Sequence, residues 1–94
     1  MQGINRAGAE LVERGGLTGR QSRMVAYIRY FLAAHGYPPT VREIGRDLGI
    51  SSSSVVAYNL EVLARRGYVA RDPQVSRGLR LTELGAAVPA AVAR

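Results

Sequence analysis

Residues 38–60, which read PPTVREIGRDLGISSSSVVAYNL, constrain the fold of this chain more than any other segment. Thr40 can cap the first free amides of a helix, and Glu43, three residues later, can reach back to complete a capping box. Gly49 stands where a helix most easily ends in a left-handed conformation, and the serines that follow offer hydroxyl caps for a second helix. The segment therefore predicts two short helices joined by a tight turn, which is a helix-turn-helix.

The apolar positions of these two helices predict which side faces a core. The inward stripes are expected at Val41, Ile44 and Leu48 in the first helix and at Val56, Leu60 and Leu63 in the second. Gly45 allows another backbone to come close, and Ile50 can fill the corner between the helices. The opposite flank of the second helix is then exposed, with Ser52 at its amino end, and can meet base edges in a DNA major groove.

The flanking segments predict one more helix and a β-hairpin. Thr18 and Gln21 form a second capping box, and the helix they begin should end near His35. Its apolar stripe comprises Met24, Val25, Tyr27, Ile28, Phe31 and Leu32. Residues 68–71 and 79–82 are extended in character and are separated by an Asp-Pro turn signal. Three helices followed by a hairpin make a mainly α fold with a small β wing, a winged helix-turn-helix.

Glycine, alanine and proline mark the limits of this domain. Residues 1–16 are rich in glycine and carry only a short apolar run, which predicts a flexible N-terminal arm. The winged domain is expected at residues 17–82. Residues 83–94 are rich in alanine and interrupted by Pro89, which predicts a tail with at most a turn or two of helix.

Length and charge narrow the choice of partner. A chain of 94 residues allows one small domain. Its 13 basic residues, all of them arginine, outnumber 7 acidic ones and give a net charge of +6. An excess of this kind favours a polyanionic partner such as nucleic acid.

Other functional classes lack the residues they need. The absence of cysteine excludes disulfides and thiolate metal sites, and favours a cytoplasmic location. No apolar run has the length of a membrane span, so no membrane partner is expected. His35 is the lone histidine, and no nucleophile-base pair, metal cluster or phosphate-cradling loop is visible. We therefore expect no enzyme activity, no metal, no cofactor and no small-molecule substrate.

Residues 17–82 resemble the N-terminal DNA-binding domain of the LexA family, repressors of the bacterial SOS response. The landmarks are LTGRQ, MVAYIRYF, GYPPTVREIG, DLGISSSS, LARRGYVARD and SRGLRLT, in this order and spacing. The resemblance implies a bacterial or phage-encoded repressor that binds operator DNA, with the second motif helix in the major groove and the wing over the backbone. Relatives continue into a serine-lysine self-cleaving domain. Because this chain has no lysine, the dyad cannot exist within it. We therefore expect either an isolated domain or a stand-alone repressor that leaves DNA without autoproteolysis.

The resemblance and the exposed flank together indicate which side chains touch DNA. Candidates for reading bases are Ser52, Ser54, Val55, Ala57, Tyr58 and Asn59. Candidates for binding phosphates are Arg20, Thr40, Arg42, Arg66, Ser76, Arg77 and Arg80. Serine hydroxyls read bases permissively, Val55 can meet a thymine methyl, and Asn59 can grip adenine with two hydrogen bonds. An alternative for Tyr58 is packing against the first helix.

Two other functions fit the same fold. A winged helix can serve as a protein-interaction module, as in an antirepressor or a polymerase-binding factor. It can also act as an architectural DNA-binding protein, in which Tyr58 would stack and Arg77 would insert. For sequence-specific binding, a single small domain predicts modest affinity, so a homodimer on DNA is a further expectation.

Overall fold

The structure, a computed structural model, describes residues 16–88. Its elements are α1 (Gly19–His35), α2 (Val41–Leu48), α3 (Ser53–Arg65), β1 (Val69–Arg71), β2 (Leu79–Leu81) and α4 (Glu83–Ala86). The predicted arm, apart from Gly16, and residues 89–94 of the predicted tail lie outside the described residues. Within the described part, the predicted winged helix-turn-helix, mainly α with a small β wing, is confirmed.

Both predicted capping boxes are present and fix where α1 and α2 begin. The Thr18 hydroxyl accepts from the Gln21 amide at 3.0 Å, and the Gln21 side chain accepts from the Thr18 amide at 3.2 Å. The Thr40 hydroxyl accepts from the Glu43 amide at 3.1 Å, and Glu43 Oε1 accepts from the Thr40 amide at 2.9 Å. The Ser52 hydroxyl caps α3 by accepting from the Val55 amide at 3.3 Å. Each such cap stabilises a helix by about 1 kcal/mol.

Two glycines make the turn between α2 and α3 tight. Gly49 adopts the left-handed conformation with φ +73°, as the sequence predicted. Gly45 lies so close to the next segment that a Cβ atom there would stand 2.9 Å from the Ile50 carbonyl oxygen. The Ile50 amide donates to the Gly45 carbonyl at 2.8 Å, which closes the turn. The predicted close approach at Gly45 is confirmed.

The core forms where the three helices meet the hairpin. Its buried members are Leu17, Met24, Val25, Ile28, Ile44, Ile50, Val56, Leu60, Leu63, Tyr68, Val69, Leu79 and Val88. The predicted stripe of α3 is fully inside, and Val41 and Leu48 of α2 pack against the cluster as partly buried side chains. Each large apolar side chain buried in this way stabilises the fold by roughly 1.5–3 kcal/mol.

The hairpin and the short helix α4 complete the domain. β1 and β2 are antiparallel, with Val69 opposite Leu81 and Arg71 opposite Leu79. α4 begins at Glu83, at the start of the tail for which a turn or two of helix was predicted. The Arg29 guanidinium of α1 donates to the Ala86 carbonyl of α4 at 2.6 Å. Because Val88 is part of the core, the folded unit continues beyond position 82. In residues 16–88, no helix combines the length and apolarity needed to cross a bilayer.

Candidate nucleic-acid interface

The amino-terminal half of α3 presents a polar, exposed face. Ser52 and Ser54 are exposed, and Val55 and Ala57 are half-buried beside them. The Tyr58 side chain is 62% exposed, so the alternative in which it packs against α1 is wrong. The first two turns of α3, with their cap, thus offer two hydroxyls, a phenol and small apolar surfaces, the groups that meet base edges and thymine methyls.

Asn59, however, faces the opposite way. It is 8% exposed, its Oδ1 accepts from Gln21 Nε2 at 3.0 Å, and its Nδ2 donates to the Val55 carbonyl at 2.8 Å. The prediction that Asn59 lies on the exposed flank is wrong, and its amide is not free to grip adenine. The physical reason is helical phase: Asn59 stands three residues after Val56 and therefore shares the side of α3 that faces α1.

An open groove borders this face between α2 and the amino terminus of α3. It has a volume of about 700 Å³ and is lined by Val41, Arg42, Gly45, Arg46, Gly49, Ile50, Ser51 and Ser53. Two guanidinium groups therefore stand beside serine hydroxyls and the first amides of α3, whose first turn carries no acidic side chain. Positive charge and free amide donors are what a phosphate group requires.

Arg46, which the sequence analysis did not include among the site residues, contributes to this groove a guanidinium that pairs with Asp47. Its Nε donates to Asp47 Oδ1 at 2.9 Å, and the Tyr27 hydroxyl donates to Oδ2 of the same carboxylate. The hydrogen bonds from Arg46 and then Tyr27 lower the pKa of Asp47, while burial and the bond to Asp47 raise the pKa of Tyr27. The ionised Asp47 thus holds Arg46 and ties α2 to α1.

The remaining arginine candidates stand at two ends of the domain. Arg20 is exposed in the first turn of α1, and Arg66, just after α3, lies against Gly16 in the segment that leads into α1. Arg80 is exposed on β2, and Ser76 is exposed in the hairpin loop. These four side chains have the exposure that phosphate binding requires, and their role toward phosphates stays a prediction.

Arg77 is engaged within the protein. Its Nη1 donates to Glu43 Oε1 at 2.8 Å and to the Pro38 carbonyl at 2.7 Å, and its Nη2 donates to Glu43 Oε2 at 2.9 Å. The guanidinium carbon lies 4.6 Å from the centre of the Tyr37 ring. A carboxylate 34 residues away in the chain and a backbone carbonyl therefore take three of its N–H donors, while the side chain stays 33% exposed. Its role toward a phosphate stays a prediction.

Glu43 joins the wing to the start of α2. The hydrogen bond from Arg77, followed by that from the Thr40 amide, lowers the pKa of Glu43 to about 2. The Thr40 hydroxyl, a predicted phosphate ligand, already accepts from the Glu43 amide as the helix cap. Its role toward DNA stays a prediction. Near neutral pH, Glu43 is charged and holds both neighbours.

Residues 14–78 match the family described as LexA DNA binding domain. The chain belongs to that family. It is 47% identical over 66 residues to the LexA repressor of Herpetosiphon aurantiacus, covering 70% of this chain and 31% of the relative. It is 48% identical over 66 residues to LexA repressor 2 of Geobacter sulfurreducens, covering 70% of this chain and 32% of the relative.

One relative matches over a longer stretch of the chain. The LexA repressor of Acidothermus cellulolyticus is 45% identical over 78 residues, which cover 83% of this chain and 28% of the relative. The chain thus spans about a third of the length of the curated relatives it matches. The resemblance to the LexA family stated from sequence is confirmed for the DNA-binding domain.

Sequence reasoning on this LexA-family domain missed three contributors to the site. Ser53 and Arg46 line the groove, and Glu43 holds the wing. The serine run was a visible signal for Ser53, and the spacing of Arg46 from Arg42, one helical turn, was a visible signal for a shared face. For the pairing of Glu43 with Arg77 the sequence offered no signal, because the two lie on separate elements.

Proposed function

We propose that this chain is a sequence-specific double-stranded DNA-binding domain of a LexA-like transcriptional repressor. The observation that carries the proposal is the exposed serine-tyrosine face of α3 beside a groove lined by Arg42 and Arg46. Membership of the LexA DNA-binding domain family supports the same function. Net charge of +6 supports a polyanionic partner.

In this proposal α3 lies in the major groove with its amino-terminal half against the bases. Ser52, Ser54 and Tyr58 offer hydroxyl groups to base edges, while Val55 and Ala57 contact thymine methyls. A good bidentate base contact discriminates by about 1–3 kcal/mol, and single hydroxyl contacts contribute less. Specificity therefore depends on the sum of several modest contacts on one helix face.

Affinity comes from phosphate contacts on both sides of that helix. We propose that Arg42 and Arg46 bind phosphates through the groove, and that Arg20, Arg66, Ser76 and Arg80 reach the backbone on the flanks. Each phosphate neutralised makes the slope of log K against log salt steeper by roughly 0.9. Binding should thus weaken steeply as salt rises.

Repression follows from occupancy. A single domain of this size buries roughly 600–1,000 Å² on DNA, which gives modest affinity, so we propose that two copies bind half-sites about 34–36 Å apart or a multiple of that distance. Such a pair covers a promoter and excludes polymerase. The relatives' shared description as repressors supports repression. Since those relatives are bacterial, we propose that this chain binds the bacterial nucleoid in the cytoplasm.

The test is selection of bound sites from a random duplex pool, followed by binding measurements across a range of salt concentrations. The proposal predicts one enriched motif, with a two-fold arrangement, and an affinity that falls linearly with log salt. If no duplex is retained at low salt while a protein partner is captured, the interaction-module alternative replaces this one. Retention without an enriched motif would instead support architectural binding.

A further inference from the structure

We propose that Arg77 and Glu43 form a clamp, here called the wing clamp, that fixes the wing against the helix-turn-helix. The wing comprises β1, β2 and the loop 72–78 between them. Arg77 is then a positioning residue for DNA binding and not a phosphate ligand. This inference rests on the proposed function, because it assigns a role within DNA recognition.

Contacts on three sides hold the Arg77 guanidinium. Its two terminal nitrogens meet the two Glu43 oxygens at 2.8 and 2.9 Å, which is the bidentate geometry that a planar fork favours. The Pro38 carbonyl takes another hydrogen from Nη1 at 2.7 Å, and the Tyr37 ring covers the carbon at 4.6 Å. Three of the five N–H donors of this guanidinium are thus used within the protein.

The backbone of the loop also serves this arrangement. Arg77 has φ +57°, the left-handed region that side chains other than glycine, asparagine or aspartate seldom adopt. An unfavourable conformation of this kind persists when surrounding contacts impose it. Here the contacts are those of the wing clamp together with backbone hydrogen bonds of the loop, from the Gly78 amide to the Val75 carbonyl at 2.9 Å and from the Asp72 amide to the Gly78 carbonyl at 2.7 Å.

The wing clamp crosses a gap that apolar packing leaves open. A cleft of about 230 Å³ lies between the loop and the start of α2, lined on the two sides by Val75, Ser76 and Arg77 and by Pro39, Thr40 and Val41. Val75, near the tip, is 54% exposed. Since the loop buries little apolar surface there, its position relative to α2 depends on polar contacts.

Glu43 connects the loop of the wing to the first helix of the helix-turn-helix. Its Oε1 accepts both from Arg77 and from the Thr40 amide at 2.9 Å, so one carboxylate serves the α2 cap and the wing. Val69 and Leu79 hold the strands of the wing in the core, so the wing clamp sets the position of the loop 72–78 at the start of α2. Loss of the wing clamp should release Ser76 in that loop from its position beside the duplex.

Replacement of Glu43 by glutamine distinguishes its positioning of the wing from the effect of its negative charge on DNA affinity. Glu43→Gln removes a negative charge from the DNA-binding side, so charge alone predicts tighter binding. The wing clamp predicts the reverse, about tenfold weaker binding, the loss expected for one charge-assisted hydrogen bond. Glu83→Gln on α4 is the matched control with the same charge change, and its affinity should equal or slightly exceed that of the original chain. Equal or tighter binding by Glu43→Gln would overturn the proposal.

A second variant tests the fork itself. Arg77→Lys keeps the positive charge but cannot make the bidentate pair, so the wing clamp predicts weakening close to that of Glu43→Gln. A phosphate ligand would tolerate lysine and keep both its affinity and its salt slope, and that result would also overturn the proposal. Circular dichroism on each variant confirms that the domain is folded.

Amide hydrogen exchange gives a readout that does not require DNA. In Glu43→Gln and Arg77→Lys, amides of residues 74–78 should exchange faster, while those of α1 keep their protection. Unchanged exchange in the loop would contradict the wing clamp even if DNA affinity fell. Failure of the original chain to bind any duplex would refute the proposed function, and exchange would then decide the wing clamp alone.

Discussion

At the scale of single residues, loss of a base contact changes which DNA sequence is preferred, whereas loss of a phosphate contact lowers the affinity for every sequence. We predict that Ser54→Ala changes the motif that the chain selects from a random duplex pool, because Ser54 stands on the exposed face of α3. Arg42→Ala should weaken all sequences about equally and reduce the salt slope by about one unit. Site selection together with affinities at several salt concentrations measures both. The opposite pattern would exchange the roles of α3 and the groove.

A second prediction for a single residue concerns pH. The pKa of Glu43 is lowered from 4.5 to about 2 because Arg77 and the Thr40 amide donate hydrogen bonds to its charged form. The stability it contributes is therefore fully present above pH 4.5 and is lost as pH falls toward 2. Between these pH values, the free energy of unfolding measured with urea should depend less steeply on pH in Glu43→Gln than in the original chain. Asp47, whose pKa is also lowered, will keep part of the slope. An unchanged slope would contradict the pairing.

The error over Asn59 has a definite cause at this scale. Apolar periodicity identified Val56 and Leu60 as inward-facing. It does not report polar residues, so it did not show that Asn59 lies on the same side of the helix. A buried amide is tolerated when another group satisfies it, and here Gln21, 38 residues away, donates to it. Such a partner cannot be seen from the local pattern of α3.

At the scale of elements, the pair of amides from Gln21 and Asn59 holds α3 against α1. Asn59→Ala would leave Gln21 Nε2 buried without an acceptor, so we predict a loss of about 1–3 kcal/mol in the free energy of unfolding. The matched control is Ser54→Ala on the exposed flank, which should change stability by less than about 0.5 kcal/mol. Chemical denaturation of both variants provides the measurement. Similar stabilities for the two would show that the amide pair does not couple the helices.

For Gly45, near the turn between α2 and α3, the structure predicts a change in stability opposite to the one that helix propensity predicts. Alanine in place of a helical glycine ordinarily stabilises by roughly 0.8–1 kcal/mol. At Gly45 the added Cβ would stand 2.9 Å from the Ile50 carbonyl, so Gly45→Ala should destabilise instead, by about 1–3 kcal/mol. Thermal unfolding decides the sign. A variant more stable than the original chain would mean that the turn can open without cost.

At the scale of the whole molecule, local signals account for the elements and not for all of their contacts. Caps, turn glycines and apolar periodicity lie within a few residues of each other, so the helices, the hairpin and the core stripes could be predicted from sequence. The attachment of the wing could not, because Arg77 and Glu43 are separated by 34 residues and pair only after the fold has formed. The same limit explains why Arg77 was expected to face DNA.

The central claim is that the chain meets DNA with the exposed face of α3. It is tested most directly by backbone amide shifts of the labelled protein titrated with the duplex it selects. We expect the largest shifts in residues 51–58, smaller ones in residues 74–80, and none at Tyr30 of α1 or Leu84 of α4, which are exposed elsewhere. Shifts centred on Tyr30 and Leu84, with residues 51–58 unmoved, would contradict the account.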